Sequence, residues 1–152
     1  MSKHRYIKDS FWTDPYIEKL TPDYKLVFLY LLTNPLANIS GVYEVRRKRI
    51  AYETGYDQEV IETIFKKLTK DKKIVVFKDW VIIVNHIKHQ SLGDSTALGM
   101  EREIKLAPTE VQEMFSYKTL VNSKGSEYNV PFLNDKYTPP IDPLPTPPKW
   151  GV

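Results

Sequence analysis

Hydrophobic and polar positions follow two different periods in the middle of the chain. Across residues 58–70, apolar side chains recur at intervals of three and four, which predicts an amphipathic helix; they are Ile61, Ile64, Phe65 and Leu68. Further on, two short runs rich in Val and Ile flank the polar pair Lys78 and Asp79. This second pattern predicts two strands, 74–77 and 81–84, joined by a tight hairpin turn.

The residues before this helix predict its neighbours in the fold. Gly55 can adopt the positive φ that ends a preceding helix, and Asp57 can cap the free N–H groups of the helix at 58–70. A short alternating stretch at 40–45 predicts a third strand that pairs with the hairpin. Helix, turn, helix and hairpin in this order predict a winged helix-turn-helix. The predicted fold class is therefore α+β, mostly helical, with a small antiparallel sheet.

Two earlier segments also carry helix-start signals. Thr13 is predicted to cap a short helix, with Trp12 in an aromatic lid on the core; base stacking by Trp12 is the alternative. Thr21 is predicted to cap the next helix, which is apolar on nearly every side and ends before Pro35. That composition predicts a buried central helix.

The remaining chain divides by composition. Apolar positions broken at Pro108 predict short helices within 91–117, followed by Ser, Gly and Asn. Seven of the 11 prolines lie beyond residue 130, which predicts an extended tail that acts as a linker or as a docking segment for another protein. The predicted organisation is a flexible lead at 1–9, a winged-helix domain at 10–90, a helical extension at 91–117 and a Pro-rich tail or linker at 118–152.

Composition excludes several classes of protein. The 152 residues, 41% of them hydrophobic, are enough for one buried core. The chain has no cysteine for disulfides or thiolate metal sites, and no apolar run of about 18 residues that would span a membrane. A glycine-rich phosphate loop and a paired nucleophile are absent from the sequence, and His86 and His89 lack further ligands at metal-site spacing. We expect a soluble intracellular protein that is not an enzyme and holds no metal or cofactor.

Charge is distributed unevenly around a formal net charge of +3. Residues 41–90 contain 11 Lys and Arg against 7 Asp and Glu, whereas residues 91–152 contain 6 against 8. Four consecutive cations precede Ile50, where the helix dipole favours acidic residues, and a bound phosphate would explain them; a solvated basic run is the alternative. The predicted DNA contacts are Arg46, Arg47, Lys48, Arg49, Gln58, Thr63, Lys66, Lys67, Lys70, Lys72, Lys73, Lys78 and Lys88.

The start of the helix at 58–70 argues against base-specific readout. In a helix-turn-helix protein this part of the second helix meets the base edges, but here it carries Glu59 and Glu62. Phosphates repel carboxylates, although a carboxylate can accept a hydrogen bond from cytosine. The lysines of the second half can follow a DNA backbone or simply complement the helix dipole.

Several blocks together resemble the amino-terminal region of Gram-positive phage replication proteins, the replisome organiser and DnaD-like initiation proteins. They lie at 11–17 (FWTDPYI), 30–35 (YLLTNP), 41–44 (GVYE), 50–55 (IAYETG) and 88–90 (KHQ). The resemblance covers about residues 10–117 and implies a winged helix that binds origin DNA or assembles the replisome in the bacterial host cytoplasm. Implied partners are duplex DNA, a second copy of the chain, and a helicase or its loader.

Three functions remain open at this stage. The first is DNA binding in phage replication initiation. The second is a protein–protein assembly or oligomerisation module of a replication complex. The third is transcriptional repression, which uses the same fold, and fold alone does not determine function.

Overall fold

The computed structural model of the chain describes residues 4–86 and 93–138. The helices and strands are α1 (Pro15–Glu18), α2 (Pro22–Thr33), β1 (Val42–Glu44), α3 (Arg47–Thr54), α4 (Gln58–Lys70), β2 (Ile74–Phe77), β3 (Trp80–Ile83), α5 (Asp94–Lys105), α6 (Thr109–Gln112), β4 (Phe115–Val121) and β5 (Glu127–Leu133). An antiparallel sheet has the order β1-β3-β2, and β4 pairs with β5 in a separate hairpin. The predicted α+β class with a small antiparallel sheet is confirmed.

The three-stranded sheet is buried on both faces. Successive side chains of a strand point to opposite faces, so Val81 and Ile83 pack into one core with α2, α3 and α4. The residue between them, Ile82, packs into a second core with Ile104 of α5 and Val111 of α6. We call residues 4–86 the amino-terminal layer and residues 93–138 the carboxy-terminal layer, and β1, β2 and β3 are shared by the two cores.

The turns around α4 follow the predicted backbone chemistry only in part. Gly55 ends α3 with a φ of 85°, the left-handed conformation that glycine adopts without a steric penalty. Asp57 occupies the N-cap position of α4, but its side chain accepts no hydrogen bond from the helix N–H groups, so the predicted side-chain cap is wrong. Lys78, with a φ of 53°, turns the chain between the paired residues Phe77 and Trp80.

Three expectations for the first 35 residues need correction. Asp14, not Thr13, caps the short helix, because its Oδ1 accepts a hydrogen bond from the backbone N–H of Tyr16 at 2.8 Å. Trp12 is 58% exposed, so it does not cover the core. The α2 helix ends before Pro35 as expected, but only its Val27 and Leu31 are fully buried, while several of its other apolar side chains pack against the core and stay partly exposed.

The predicted tail is wrong for residues 118–133, which form most of a β-hairpin. Strands β4 and β5 pair from Phe115 with Leu133 to Val121 with Glu127, and Gly125 turns the chain with a φ of 82°. The Asn122 side chain accepts hydrogen bonds from backbone N–H groups inside this turn. The prolines that dominate the composition lie mostly at 139–148, outside the described residues.

The described part of the amino-terminal lead is attached to the fold through Arg5. Arg5 Nε donates a hydrogen bond of 3.0 Å to the carbonyl oxygen of Ala37, in the segment between α2 and β1. The lead, predicted to be flexible, therefore has a hydrogen bond to the rest of the fold at Arg5. Within the described part of the chain, no helix combines the length and apolar character that a bilayer crossing requires.

Candidate nucleic-acid interface

A groove of about 390 Å³ lies beside α4, between the start of α3 and strand β2. Its lining residues are Arg47, Glu62, Phe65, Lys66, Thr69, Lys70 and Val76, and we call it the basic groove. Three of these side chains are cationic and one is a carboxylate. Lys66 and Lys70 are exposed and lie one helical turn apart on α4. The charged side chains that line the groove are therefore mostly positive.

Arg47 forms the inner end of this groove. Its side chain is only 16% exposed, and its guanidinium carbon lies 4.4 Å from the centroid of the Phe65 ring. Arg47 Nε lies 3.0 Å from Glu62 Oε1, and Arg47 Nη1 lies 3.9 Å from Asp79 Oδ1 at the hairpin tip. Both nitrogens are buried and lack a well-directed hydrogen bond within the described residues. The two carboxylates thus hold Arg47 by charge while leaving its donors incompletely satisfied.

The inward position of Arg47 means that the four consecutive cations, all predicted as DNA contacts, do not share one outward surface. Consecutive helix residues are about 100° apart, so four in a row surround most of the helix. Arg46 and Lys48 are exposed, and neither forms an ion pair with another described residue. The sequence run therefore divides into one buried cation and three on the outside of α3.

Arg49 is on the outside but is also engaged by its own helix. Its Nε lies 2.7 Å from Glu53 Oε1, and the Tyr30 hydroxyl donates to the same oxygen at 2.8 Å. The hydrogen bonds from Arg49 and then from Tyr30 lower the pKa of Glu53 below its ordinary value of 4.5, despite the opposing effect of burial. Glu53 is therefore ionised at neutral pH and offsets much of the Arg49 charge.

A different cluster holds Lys67 and Lys73. Lys67 Nζ lies 3.0 Å from Asp71 Oδ2, which also accepts a hydrogen bond of 2.7 Å from the Tyr16 hydroxyl. Lys73 Nζ lies 4.4 Å from the centroid of the Tyr16 ring. Lys67 and Lys73 are therefore tied to α1 and do not line the basic groove, although the sequence analysis grouped them with Lys66 and Lys70.

The other predicted contact residues lie outside the groove lining. Gln58 and Thr63 are exposed on α4, and the Thr63 hydroxyl donates to the Glu59 carbonyl oxygen. Lys72 is exposed beyond the end of α4, and Lys78 lies at the hairpin tip with its Nζ 5.4 Å from the centroid of the Phe77 ring. The predicted contact Lys88 falls outside the described residues.

A second groove, of about 520 Å³, lies between α5 and β5. We call it the acidic groove, and its lining residues are Asp94, Ser95, Leu98, Glu101, Glu127, Tyr128 and Asn129. Glu101 Oε1 forms an ion pair of 2.9 Å with Lys105, which is exposed. This groove was not predicted from the sequence, because the residues of β5 were expected to form a tail. The acidic surplus after residue 91 was the signal available.

Comparison with known proteins gives no relative from which a function can be transferred. No protein-family model matches the sequence, and no curated protein or solved structure shows significant similarity. The described residues also contain no group of three or more His, Cys, Asp or Glu arranged to hold a metal ion. Function therefore has to be inferred from the two grooves and the elements around them.

Proposed function

We propose that this protein binds DNA through a winged helix-turn-helix and acts in the initiation of phage DNA replication. The proposed winged helix comprises α3, α4 and the β2–β3 hairpin, with β1 as the third strand of the sheet. Support for this topology is the αL turn at Gly55 between the two helices and the strand order β1-β3-β2. The replication role rests on the sequence resemblance at residues 10–117.

The observation that carries the proposal is the basic groove. Lys66 and Lys70 are exposed without ion pairs to other described residues, and Arg47 lies behind them with incompletely satisfied donors. A phosphate oxygen is the strong acceptor that ammonium and guanidinium groups bind, and DNA presents phosphates in a regular row. One row of phosphates could therefore contact both lysines at once.

The same groove favours contacts to the DNA backbone over contacts to the bases. Glu62 lines it, and Glu59 is exposed one turn earlier on α4. These carboxylates lie where base edges would approach in a helix-turn-helix complex, and neighbouring phosphates would repel them. Binding should therefore depend strongly on salt and weakly on sequence, since phosphate contacts position a protein without reading sequence.

Duplex affinity measured against salt concentration tests the groove. Log K should fall linearly with log salt, with a slope of about −0.9 for each neutralised phosphate. The double variant Lys66→Ala/Lys70→Ala should bind duplexes of different sequence about tenfold more weakly and reduce the slope by roughly 1.8 if each lysine neutralises one phosphate. Lys118→Ala/Lys124→Ala is the matched control, because these two exposed lysines lie in the β4–β5 hairpin and its turn.

Two outcomes would reject DNA binding through the groove. One is the absence of duplex binding at about 50 mM salt, where phosphate contacts are strong. The other is an equal loss of duplex affinity in the groove variant and in the control. That result would mean that only the net charge of the protein matters. Circular dichroism of both variants establishes that the fold is intact, as expected for exposed side chains.

A second candidate function is assembly with another protein. The observation that favours it is the number of exposed large apolar side chains in the carboxy-terminal layer, which are Leu98, Leu106, Leu120 and Val121. Light scattering at micromolar concentration separates the two functions. A stable oligomer that does not bind DNA supports assembly, whereas a monomer that binds DNA supports the first proposal.

A further inference from the structure

The α3 helix presents an aromatic ring on a side that the basic groove does not use. Tyr52 lies in the second half of α3 and is 88% exposed. Lys48 and Arg49 precede it by four and three residues, which places all three on neighbouring positions of one helix surface. Glu53 completes this surface, which we call the α3 outer face.

Tyr52 does not contribute to the packing of the fold. It belongs to neither core, whereas Ala51 and Tyr56 on the same segment pack against the first core. Tyrosine is also a weaker helix former than the straight-chain polar residues common at exposed positions. A large ring held in water by a regular helix is available for contact with a flat apolar partner.

The charges around Tyr52 restrict what that partner can be. Lys48 is exposed and forms no ion pair within the described ranges. Glu53 interacts with both Arg49 and the Tyr30 hydroxyl. It is the one carboxylate of the α3 outer face, which also contains two cations, Lys48 and Arg49. Arg46, exposed at the N-cap of α3, adds a further cation beside this surface. The partner should therefore combine a flat apolar group with negative charge.

We propose that Tyr52 stacks on an unpaired base of single-stranded DNA or RNA while Lys48 and Arg49 contact the adjoining phosphates. A nucleotide contains both a flat base and a phosphate, and stacking on aromatic side chains beside cations is a general mode of single-strand binding. Bases inside a duplex are already stacked on both faces, so a duplex offers only its phosphates to this surface. The inference rests on the proposed function only in taking nucleic acid as the ligand.

A protein partner fits this surface less well. Energetically important protein contacts cluster in apolar pockets surrounded by residues that exclude water. Tyr52 is the one large hydrophobic side chain of α3 that is exposed to solvent. Its immediate neighbours on the α3 outer face are charged. A base needs only one ring face, which Tyr52 supplies alone.

Fluorescence anisotropy with a labelled oligothymidine and a labelled duplex of equal length tests the inference. Tyr52→Ala should weaken single-strand binding about tenfold, within the range of one stacked base, and leave duplex binding within twofold. Tyr52→Phe should retain single-strand binding because it keeps the ring. Tyr6→Ala is the matched control, since Tyr6 is 96% exposed and lies before α1.

The charge part of the proposal has its own readout. Lys48→Ala should reduce the salt slope of oligothymidine binding by about 0.7, the value expected for one phosphate of a single strand. Equal losses in Tyr52→Ala and Tyr6→Ala would overturn the stacking role. So would an oligothymidine affinity that does not respond to Tyr52→Ala, or the absence of single-strand binding at low salt.

These results separate the two proposals. If duplex binding depends on Lys66 and Lys70 while single-strand binding ignores Tyr52, the stacking inference fails and the basic groove stands. If single-strand binding depends on Tyr52 while duplex binding ignores both lysines, the groove fails and the stacking inference stands. If Tyr52 instead contacts a second copy of this protein, Tyr52→Ala should dissociate an oligomer in the absence of nucleic acid. That result would also count against stacking.

Discussion

The amino-terminal and carboxy-terminal layers share one sheet but carry opposite charge. Residues 4–86 contain 14 Lys and Arg against 11 Asp and Glu, while residues 93–138 contain 5 against 7. Each layer has its own groove, with three cations and a carboxylate in one and three carboxylates in the other. A polyanion would be attracted to the first layer and repelled by the second, so the charge asymmetry would orient the protein on a nucleic acid.

The layers also differ in how they use their charged residues. In the amino-terminal layer, Arg47 connects three elements by lying over Phe65 and between Glu62 and Asp79. In the carboxy-terminal layer, the ion pair between Lys105 and Glu101 is local to α5 and exposed. The charge contacts of Arg47 thus join several elements of the first layer, whereas the pair between Lys105 and Glu101 stays within one helix.

The largest predicted effect tests whether the layers fold together. Ile104 of α5 is fully buried against Ile82 and Val42 of the shared sheet. Ile104→Ala should lower the free energy of unfolding by about 3 kcal/mol because it removes buried methyl groups and leaves a cavity. Urea unfolding followed by circular dichroism and by tryptophan fluorescence should give one coincident transition.

The control for this variant is Leu98→Ala, in the same helix but exposed. It should change the free energy of unfolding by less than about 0.5 kcal/mol. Two separate transitions, with Ile104→Ala moving only one of them, would contradict a sheet shared by both cores and would make the layers independent units.

The next effect in size concerns Arg47. Arg47→Ala should destabilise the protein by about 2 kcal/mol, since it removes the contact with Phe65 and the charge between Glu62 and Asp79. Thermal or urea unfolding measures this loss. Arg46→Ala is the control, because Arg46 is exposed and should cost less than about 0.5 kcal/mol. Equal small losses of stability in both variants would mean that Arg47 is a surface cation, as predicted from the sequence.

The buried face of α4 and the run of cations before Ile50 illustrate what the sequence could and could not predict. Period-three-and-four spacing placed Ile61, Ile64, Phe65 and Leu68 on the buried face of α4, and the structure confirms this. Four adjacent cations, by contrast, gave no signal for which one turns inward. That depended on Glu62 and Asp79, which tertiary structure brings to Arg47 from α4 and the hairpin tip.

The carboxy-terminal layer was less predictable for a related reason. The sequence 115–133 contains an alternating strand, a turn around Gly125 and a second strand, but the prolines that follow dominated the composition. Pro131 lies within β5 opposite Tyr117, where a proline usually argues against a strand. The acidic groove needs both α5 and β5, so it could not be predicted once β5 was missed.

A smaller predicted effect concerns Asp71, whose contribution to stability should exceed that of an exposed ion pair. Burial alone would raise the pKa of Asp71, but hydrogen bonds from Tyr16 and Lys67 outweigh it and hold the pKa below the ordinary value of 3.8. A carboxylate with a lowered pKa in the folded state contributes stability above its unfolded pKa, and this is lost as pH falls through the folded value. Asp71→Asn should therefore cost about 1 kcal/mol at pH 7.

Urea unfolding at a series of pH values measures this difference. The gap between wild type and Asp71→Asn should narrow as pH falls below about 4, because wild-type Asp71 then becomes protonated. Glu101→Gln is the counterpart in the other layer, and its exposed pair with Lys105 should contribute less than about 0.5 kcal/mol. A gap that stays constant with pH would assign the Asp71 effect to packing and not to charge.

The smallest predicted effect concerns the carboxylate inside the basic groove. Glu62 neutralises part of the Arg47 charge and faces any phosphate that approaches Lys66. Glu62→Gln keeps the shape of the side chain but removes its charge, so duplex affinity should rise about threefold at low salt. The salt slope should become steeper by up to about 0.9, because Arg47 would then be available to neutralise one more phosphate.

The acidic groove supplies the control for this last variant. Glu127→Gln also removes one negative charge, but it does so at the groove between α5 and β5. If long-range repulsion alone governed affinity, both variants would raise it equally, and both increases would disappear as salt screens the two charges. A threefold rise in Glu62→Gln with a steeper slope, beside an unchanged slope in Glu127→Gln, would mean that Glu62 restrains Arg47 at the surface that contacts DNA. An unchanged affinity in both variants would place the DNA contact elsewhere on the amino-terminal layer.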